Sequence, residues 1–378
     1  MSLREYGEVS MRDVKVGVIG SGFIAGVHLE ALQSVPGAKI VAIASLEDER
    51  RKQLAKKYKI PKQYRQWQEI VKDKNVEVVV VGIPNYLHAS ATIEAAKNGK
   101  HVICEKPLAL TLDDADEMID ACKKAGVILG YAEELCFVPK FVYAKEVADS
   151  GAIGDIFFVK QCEEHGGPYS EWFFKAETAG GGILMDMGCH SIEYCRYAMN
   201  KKRVKSVYAE MATYMHKKIT KLEDHVLVTL EFADGTTAFV ESSWARKGGM
   251  ISFAEFYGTE GVIHANLLQE GMGLNVFSEK GIPPNVAETK GWTHPDWQWN
   301  WQNGYPQEDA HFIECARTGS VPVESGADGR VILEIMLAAY WSAAVGRKVK
   351  LPFVLPSDLK YPVDLWLNPG KWAKKIKA

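Results

Sequence analysis

The chain has 378 residues, 47% of them hydrophobic and 25% charged, with a net charge of −3 at pH 7. It is too long for one comfortable core and too apolar for a disordered chain, so two globular domains are expected. The slight negative charge gives no broad attraction for phosphodiester backbones or anionic lipid, so neither nucleic acid nor membrane is an expected partner.

Met1 to Ser10 is a polar leader ahead of a second methionine, Met11, and reads as an extension that the fold does not need. It lacks an apolar run flanked by positive charge, and no stretch of about 18 apolar residues occurs in the chain, so a cytoplasmic protein is expected. Seven cysteines, at 104, 122, 136, 162, 189, 195 and 315, form no Cys-x-x-Cys pair and no even framework. They read as buried thiols in a reducing compartment.

From Val14 to Tyr131 short aliphatic runs alternate with amphipathic stretches, the pattern of βα units around a parallel sheet. Strands are expected at 14–19, 40–44, 76–81, 101–104 and 127–129, each without polar alternation, as strands buried on both faces require. Helices are expected at 24–35, 47–57, 89–98 and 112–124, the last opened by Thr111 as its N-cap. The first strand delivers Gly20-Ser21-Gly22-Phe23-Ile24-Ala25 into a helix, a G-x-G-x-x-A phosphate-binding turn. Gly20 permits the sharp turn, Gly22 removes a side chain where a pyrophosphate approaches, and Ala25 lets helix and strand pack closely. The helix starting near Phe23 and Ile24 then aims free N–H groups and its positive dipole end at the phosphates of NAD or NADP.

The second strand ends at Ser45-Leu46-Glu47, without the acidic residue that an NAD-specific unit places on the adenosine ribose. Arg50 stands where it can pair with a 2′-phosphate, which tilts the cofactor toward NADP; nearby Glu47 and a merely solvated Arg50 weigh the other way. Lys106 follows the fourth strand, at the carboxyl edge where open α/β sheets bind ligands, and Pro107 restricts its backbone. An ammonium held there can stabilise alkoxide character on a substrate oxygen, a contribution of order 2–4 kcal/mol. A lysine paired with Glu105 for structure alone is the competing reading.

After about Glu133 the rhythm changes. Alternating strands are expected at 156–162, 204–213, 225–232, 236–243, 251–257 and 262–265, with Asp234-Gly235 as a hairpin turn. They predict a mainly antiparallel sheet with one face solvated or covered by a partner, and hence a homodimer or homotetramer. Helices are expected at 138–148, 188–197, 308–317 and 326–345. The segment 281–302, rich in Pro and Trp, reads as an irregular excursion capping a site or a subunit contact. The fold class is α/β: an N-terminal Rossmann dinucleotide-binding domain at 1–133 and a C-terminal α+β domain at 134–378.

Two features of this second part carry chemistry. Glu164 to Pro168 with Trp172 mixes polar and aromatic groups, as suits a sugar or cyclitol, so His165 and Trp172 are candidate substrate contacts; Trp172 and Trp244 fit a core equally well. Asp186 and His190 are four apart and share one face of a helix, where the carboxylate would orient the imidazole for exchange of a hydroxyl proton. An ordinary helix-surface pair is the alternative, but Gly180, Gly181 and Gly182 ahead of them would let backbone approach a ligand. A metal held by His165, Asp186 and His190 is not expected, because no close ligand pair accompanies them.

Several of these stretches together resemble the Gfo/Idh/MocA oxidoreductases, the family of glucose–fructose oxidoreductase and inositol dehydrogenase, from about Val14 to Leu351. They are Gly20 to Ala25, Val81 to His88, Gly99 to Leu108 with its Glu105-Lys106-Pro107, Ser150 to Asp155, and Gly180 to His190. The resemblance implies Lys106 and His190 as a catalytic pair with Asp186 supporting. It places Ile83, Pro84, Asn85 and His88 along the nicotinamide ribose and ring, beside Glu105, with His88 as a satisfied helix-start histidine the alternative. Glu134 would reach the nicotinamide side of the junction, although Ala132-Glu133-Glu134-Leu135 departs from the usual Asn/Arg-bearing form and leaves both glutamates' roles open. The implied activity is NAD(P)-dependent hydride transfer to or from a secondary hydroxyl or ketone of a sugar, inositol or related polyol. Its competitors are a non-catalytic dinucleotide-binding sensor on the same fold and an NAD-dependent glycosidase. The tail from Pro352 matches nothing useful.

Overall fold

The computed structural model describes residues 12–168, 170–247, 250–267, 274–278, 281, 291–293 and 303–376. The leader at 1–11 and most of the segment 281–302 lie outside these residues.

Six parallel strands make the first sheet: β1 (Val14–Ile19), β2 (Ala38–Ala44), β3 (Lys62–Tyr64), β4 (Val78–Val81), β5 (His101–Glu105) and β6 (Leu129–Ala132). Their order is β3-β2-β1-β4-β5-β6, so the winding direction reverses between β1 and β4. That reversal opens a crevice at the carboxyl ends of β1 and β4. Burial explains the strands, since all four valines of β4 are inaccessible to solvent. The edge strand β3 escapes sequence reading because Lys-Gln-Tyr has no aliphatic run; it exists by pairing with Ala42–Ala44. Helices occupy Phe23–Leu32, Asp48–Lys57, His88–Lys97 and Leu112–Ala125. Thr111 caps the last of these by accepting the Asp114 N–H at 3.1 Å, and Gly126 ends it at a positive φ.

The second sheet has nine strands: β7 (Ile156–Glu164), β8 (Val204–Ala212), β9 (His225–Phe232), β10 (Thr237–Ser243), β11 (Ile251–Gly258), β12 (Gly261–Asn266), β13 (Leu274–Ser278), β14 (Gly291–Thr293) and β15 (Val349–Lys350). They run in the order β14-β13-β12-β11-β7-β10-β9-β8-β15. All neighbours are antiparallel except β7 and β10. Along β9, Val226, Val228, Leu230 and Phe232 are buried while His225, Leu227, Thr229 and Glu231 are only half-buried, so one face meets the core. Helices Pro139–Asp149, Cys189–Ala198 and Gly326–Val345 cover that face. Gly326–Val345 also packs on Leu112–Ala125 and on β6, which locks the two halves together. β14 lies inside the segment expected to be wholly irregular. The tail folds back too: Val363 N–H donates to the Gly180 carbonyl at 3.0 Å, and Trp372 is fully buried. All seven cysteines are buried and free.

Candidate functional site

The turn after β1 has the shape a pyrophosphate needs. Gly20 sits at φ +121°, and a Cβ there would stand 2.1 Å from the Gly82 carbonyl oxygen, so the loops after β1 and β4 touch only because this residue is glycine. At Gly22 an added Cβ would meet nothing within 4 Å, so this position faces open space. The helix Phe23–Leu32 has no side-chain cap and no acidic residue in its first turn, leaving its N–H groups available to an anion. Phe23 is 72% exposed at that end, and Ala25 is fully buried against the sheet, as close packing demands. Across the crevice the Ser21 and Ser45 hydroxyls are 2.7 Å apart. Arg50 donates to the Ser21 carbonyl, and Arg51, which sequence reading passed over, donates to the Ser45 carbonyl and to Asp48. Two guanidinium groups therefore flank the end of β2.

The loop after β4, through Ile83 and Pro84, is tied to the other half of the molecule, because the Asn85 side chain donates to the Ala179 carbonyl at 2.9 Å. His88 lies between the loops after β4 and β5. It is buried, and its ring nitrogens lie 2.9 and 2.8 Å from the Pro107 and Ile83 carbonyls. Burial holds its pKa below the ordinary value, so the neutral ring donates from one nitrogen to one of these carbonyls, which ties it to the loops after β4 and β5.

Lys106 follows β5 and joins Pro107 through a cis peptide bond. Its ammonium donates to the Asp186 main-chain carbonyl at 2.7 Å and to the Asp186 carboxylate at 3.1 Å. Burial alone would lower the lysine pKa; Asp186, with Glu105 and Glu134 nearby, outweighs burial and holds it above its usual range. Burial likewise works to raise Asp186, but Lys106, His165 and Trp244 hold it well below the usual carboxylate range. The Trp244 indole donates to Asp186 at 2.9 Å, and His165 Nε2 stands 3.5 Å from the same oxygen. Buried Trp244 is thus a hydrogen-bond donor to the site, a role its aromatic character hides in the sequence. Trp172 is half-buried and stacks on Phe173, with ring centroids 3.8 Å apart, at the edge of the aromatic cluster covering Trp244.

The expected pairing of Asp186 with His190 is not what forms. A π-helical turn, Leu184–Gly188, precedes the helix Cys189–Ala198 and carries Asp186 toward Lys106. His190 turns instead to the residues after β6: its Nδ1 is 2.7 Å from Glu133 Oε1 and 3.3 Å from Glu134 Oε2. Because Lys106 docks on the carbonyl of the turn that leads into His190, both side chains still share one environment, and Glu134 acts electrostatically on both. Burial raises the pKa of Glu133 and Glu134 and pushes Glu163, in the same pocket, up to about 8. Glu133, Cys189 and His190 offer ligand atoms within 4.8 Å of one another, but burial raises the thiol pKa far above its usual range and the Lys106 ammonium stands nearby, so this is a poor cation site.

Glu105 does not pair with the lysine side chain. It accepts from His28 Nε2 at 2.9 Å, while His28 Nδ1 lies 3.0 Å from Asp309 of the helix Tyr305–Thr318. Burial opposes charge on His28, yet the two carboxylates raise its pKa well above normal, giving a buried imidazolium clamp that sequence reading missed. The glycines ahead of Asp186 also have another purpose. A Cβ at Gly181 would lie 1.9 Å from the Tyr340 hydroxyl, and one at Gly182 would lie 1.9 Å from the Glu223 carbonyl oxygen. Glu223 Oε1 accepts from Gly182 N–H at 2.9 Å, Leu184 N–H at 3.2 Å and Tyr340 OH at 2.7 Å. The close approach is to this internal brace, not to a ligand.

Residues 14–133 match the oxidoreductase family with an NAD-binding Rossmann fold named for Gfo, Idh and MocA, and residues 141–264 match the C-terminal domain of the same family. Myo-inositol 2-dehydrogenase of Thermotoga maritima is 30% identical, covering 90% of this chain and 100% of its own. The NAD(+)-dependent scyllo-inositol 2-dehydrogenase of Bacillus subtilis is also 30% identical, covering 89% and 96%. Among solved structures, GenD2 from gentamicin A biosynthesis, in complex with NAD, superposes with a TM-score of 0.81 at 31% identity, over 93% of this chain and 99% of that one. Levoglucosan dehydrogenase with NADH and L-sorbose gives 0.79 at 26% identity, over 90% and 100%.

Proposed function

Because the chain belongs to the Gfo/Idh/MocA oxidoreductase family, we propose that it is a nicotinamide-dependent dehydrogenase or reductase acting on a secondary hydroxyl or ketone of a sugar, inositol or related polyol. The observation that carries this reading is the Lys106–Asp186 pair docked on the turn that presents His190, beside the crevice where the parallel sheet reverses. Gly20, Gly22, Phe23, Ile24 and Ala25 would hold the pyrophosphate; Ser45, Arg50 and Arg51 would hold the adenosine ribose; Pro84, Asn85 and Glu134 would lie toward the nicotinamide. When bound, the dinucleotide supplies the hydride acceptor or donor.

Lys106 is kept charged by Asp186, so its ammonium meets the substrate oxygen as a preorganised donor and steadies negative charge that develops there. His190, with Nδ1 engaged, has Nε2 for the hydroxyl proton. His165 and Trp172, on the approach to Asp186, are assigned to substrate contact. We assign dinucleotide binding to residues 1–133 and the substrate and assembly surfaces to 134–378. The half-buried face of the second sheet, with Leu227, Phe239, Phe253 and Tyr257 on it, is assigned to a homo-oligomer contact. A cytoplasmic location is part of the same reading.

For the cofactor, the two arginines at the Ser21–Ser45 contact, Arg50 and the Asp48-bonded Arg51, favour NADP(H) over NAD(H). A fluorescence titration with both cofactors tests this, and clearly tighter NADH binding reverses it. An activity screen over inositols and aldoses tests the reaction. A protein that binds dinucleotide but turns over no member would restore the sensor reading, and leaving-group release without net cofactor reduction would restore the glycosidase.

A further inference from the structure

Resting on that reading, we infer that Glu133 is the positioning residue of His190, so that each of the two reactive side chains is served by its own carboxylate: Asp186 for Lys106, Glu133 for His190. Glu133 Oε1 is 2.7 Å from His190 Nδ1, and both side chains are almost fully buried, with 0% and 2% of their surface exposed. The other carboxylate oxygen, Oε2, is buried, and the Leu135 main-chain N–H also acts on the carboxyl, so His190 is the side chain that Glu133 holds by a hydrogen bond. Asp186, which four-residue spacing would assign to the histidine, spends its oxygens on Lys106 and Trp244, with His165 at 3.5 Å.

The consequence is a defined division of the imidazole. Nδ1 is bound to Glu133, which fixes the ring plane, and Nε2 is the nitrogen turned to substrate. When Nε2 takes the hydroxyl proton, the imidazolium keeps its Nδ1 proton in the bond to Glu133, and no further atom changes place. The charged and titratable groups facing this pair are Glu193, Lys106 and Glu105, with Glu134 and Glu163 acting on His190 and with Tyr131 and Cys189 beside Glu133.

The test is a double-mutant cycle on oxidation of myo-inositol, or of whichever polyol the screen selects. Glu133→Gln is expected to lower kcat about 100-fold with KM and dinucleotide affinity nearly unchanged, because the ring loses the charged partner that fixes its plane. Glu133→Asp, which keeps the charge, is expected to recover part of the loss. In a His190→Asn background the Glu133→Gln change should cost nothing further. Multiplying losses, or a Glu133→Gln enzyme with wild-type kcat, would overturn the inference. A readout independent of turnover is nitrogen-15 NMR of histidine-labelled protein. A slowly exchanging His190 Nδ1 proton that disappears in Glu133→Gln supports the pairing, and an unchanged signal refutes it. If His190→Asn itself retains full activity while that signal behaves as expected, the proton-exchange role of His190 fails and the pairing stands. Should Glu133→Gln not fold, the same two readouts on Glu133→Ala decide.

Discussion

At the scale of single residues, the site depends on Lys106 remaining an ammonium inside the protein. Asp186 keeps it so, and the Trp244 indole and His165 in turn hold Asp186. Lys106→Ala is expected to cut kcat by about 100- to 1,000-fold, the loss typical of a single oxyanion-type donor. Dinucleotide affinity, measured by fluorescence, should stay within a few-fold of wild type. Loss of both together would show that Lys106 shapes the cofactor site instead of the reacting oxygen. The glycine turn, the Glu-Lys-Pro element and the Asp-x-x-x-His spacing were all readable as residues. Their partners were not: Asp186 lies 80 positions from Lys106 and Glu133 lies 57 from His190, distances over which spacing carries no geometric information.

At the scale of elements, the turn carrying Asp186 is braced from behind. Gly182 lies against the Glu223 carbonyl oxygen, so Gly182→Ala forces main chain apart and should cost at least ~1–3 kcal/mol, read as a lowered Tm with loss of activity. An unchanged Tm would mean that the brace yields easily. Burial pushes Glu223 up to about 7 from an ordinary 4.5. Between those values the folded chain keeps a proton that the unfolded chain has released, so this group's contribution to stability declines as pH rises through the window and is level above it. Glu223→Gln imitates the protonated acid and can still accept from Gly182, Leu184 and Tyr340. Its Tm relative to wild type is expected to improve from about pH 5 to about pH 8, by an amount of order 3 kcal/mol at most. A difference that stays flat with pH removes Glu223 from this role. Periodicity located the long elements, including the helix Gly326–Val345 and the strand His225–Phe232. It missed β3 and β15, two or three residues held by pairing alone, and it missed the π turn, which has no sequence period of its own.

At the scale of the whole molecule, the two sheets are bound into one unit by Gly326–Val345, by Asn85 reaching Ala179, and by the His28 clamp between Glu105 and Asp309. No helix among the described residues is long and apolar enough to cross a membrane. The face of the second sheet away from the helices carries half-buried aromatic groups, including Phe158 against Tyr257 at 5.4 Å and Lys160 over Phe253 at 5.0 Å. Light scattering behind size exclusion is expected to report a dimer or tetramer, and Phe239→Glu to shift it toward monomer without unfolding. A wild-type monomer at micromolar concentration would refute the assignment of that face.

By itself the sequence determined what local pattern can encode: parallel strands without polar alternation, the phosphate-binding turn, a second alternating sheet, and the lysine and histidine proposed as reactive. Only the tertiary structure decided which carboxylate serves which of them. Backbone periodicity fixes where an element runs and which face it buries, but the partner of a buried charge is chosen by the meeting of distant elements. Here β6 and the π turn bring Glu133 to His190 and Asp186 to Lys106, each carboxylate spending its lone pairs where an otherwise unpaired buried cation or ring would be most costly.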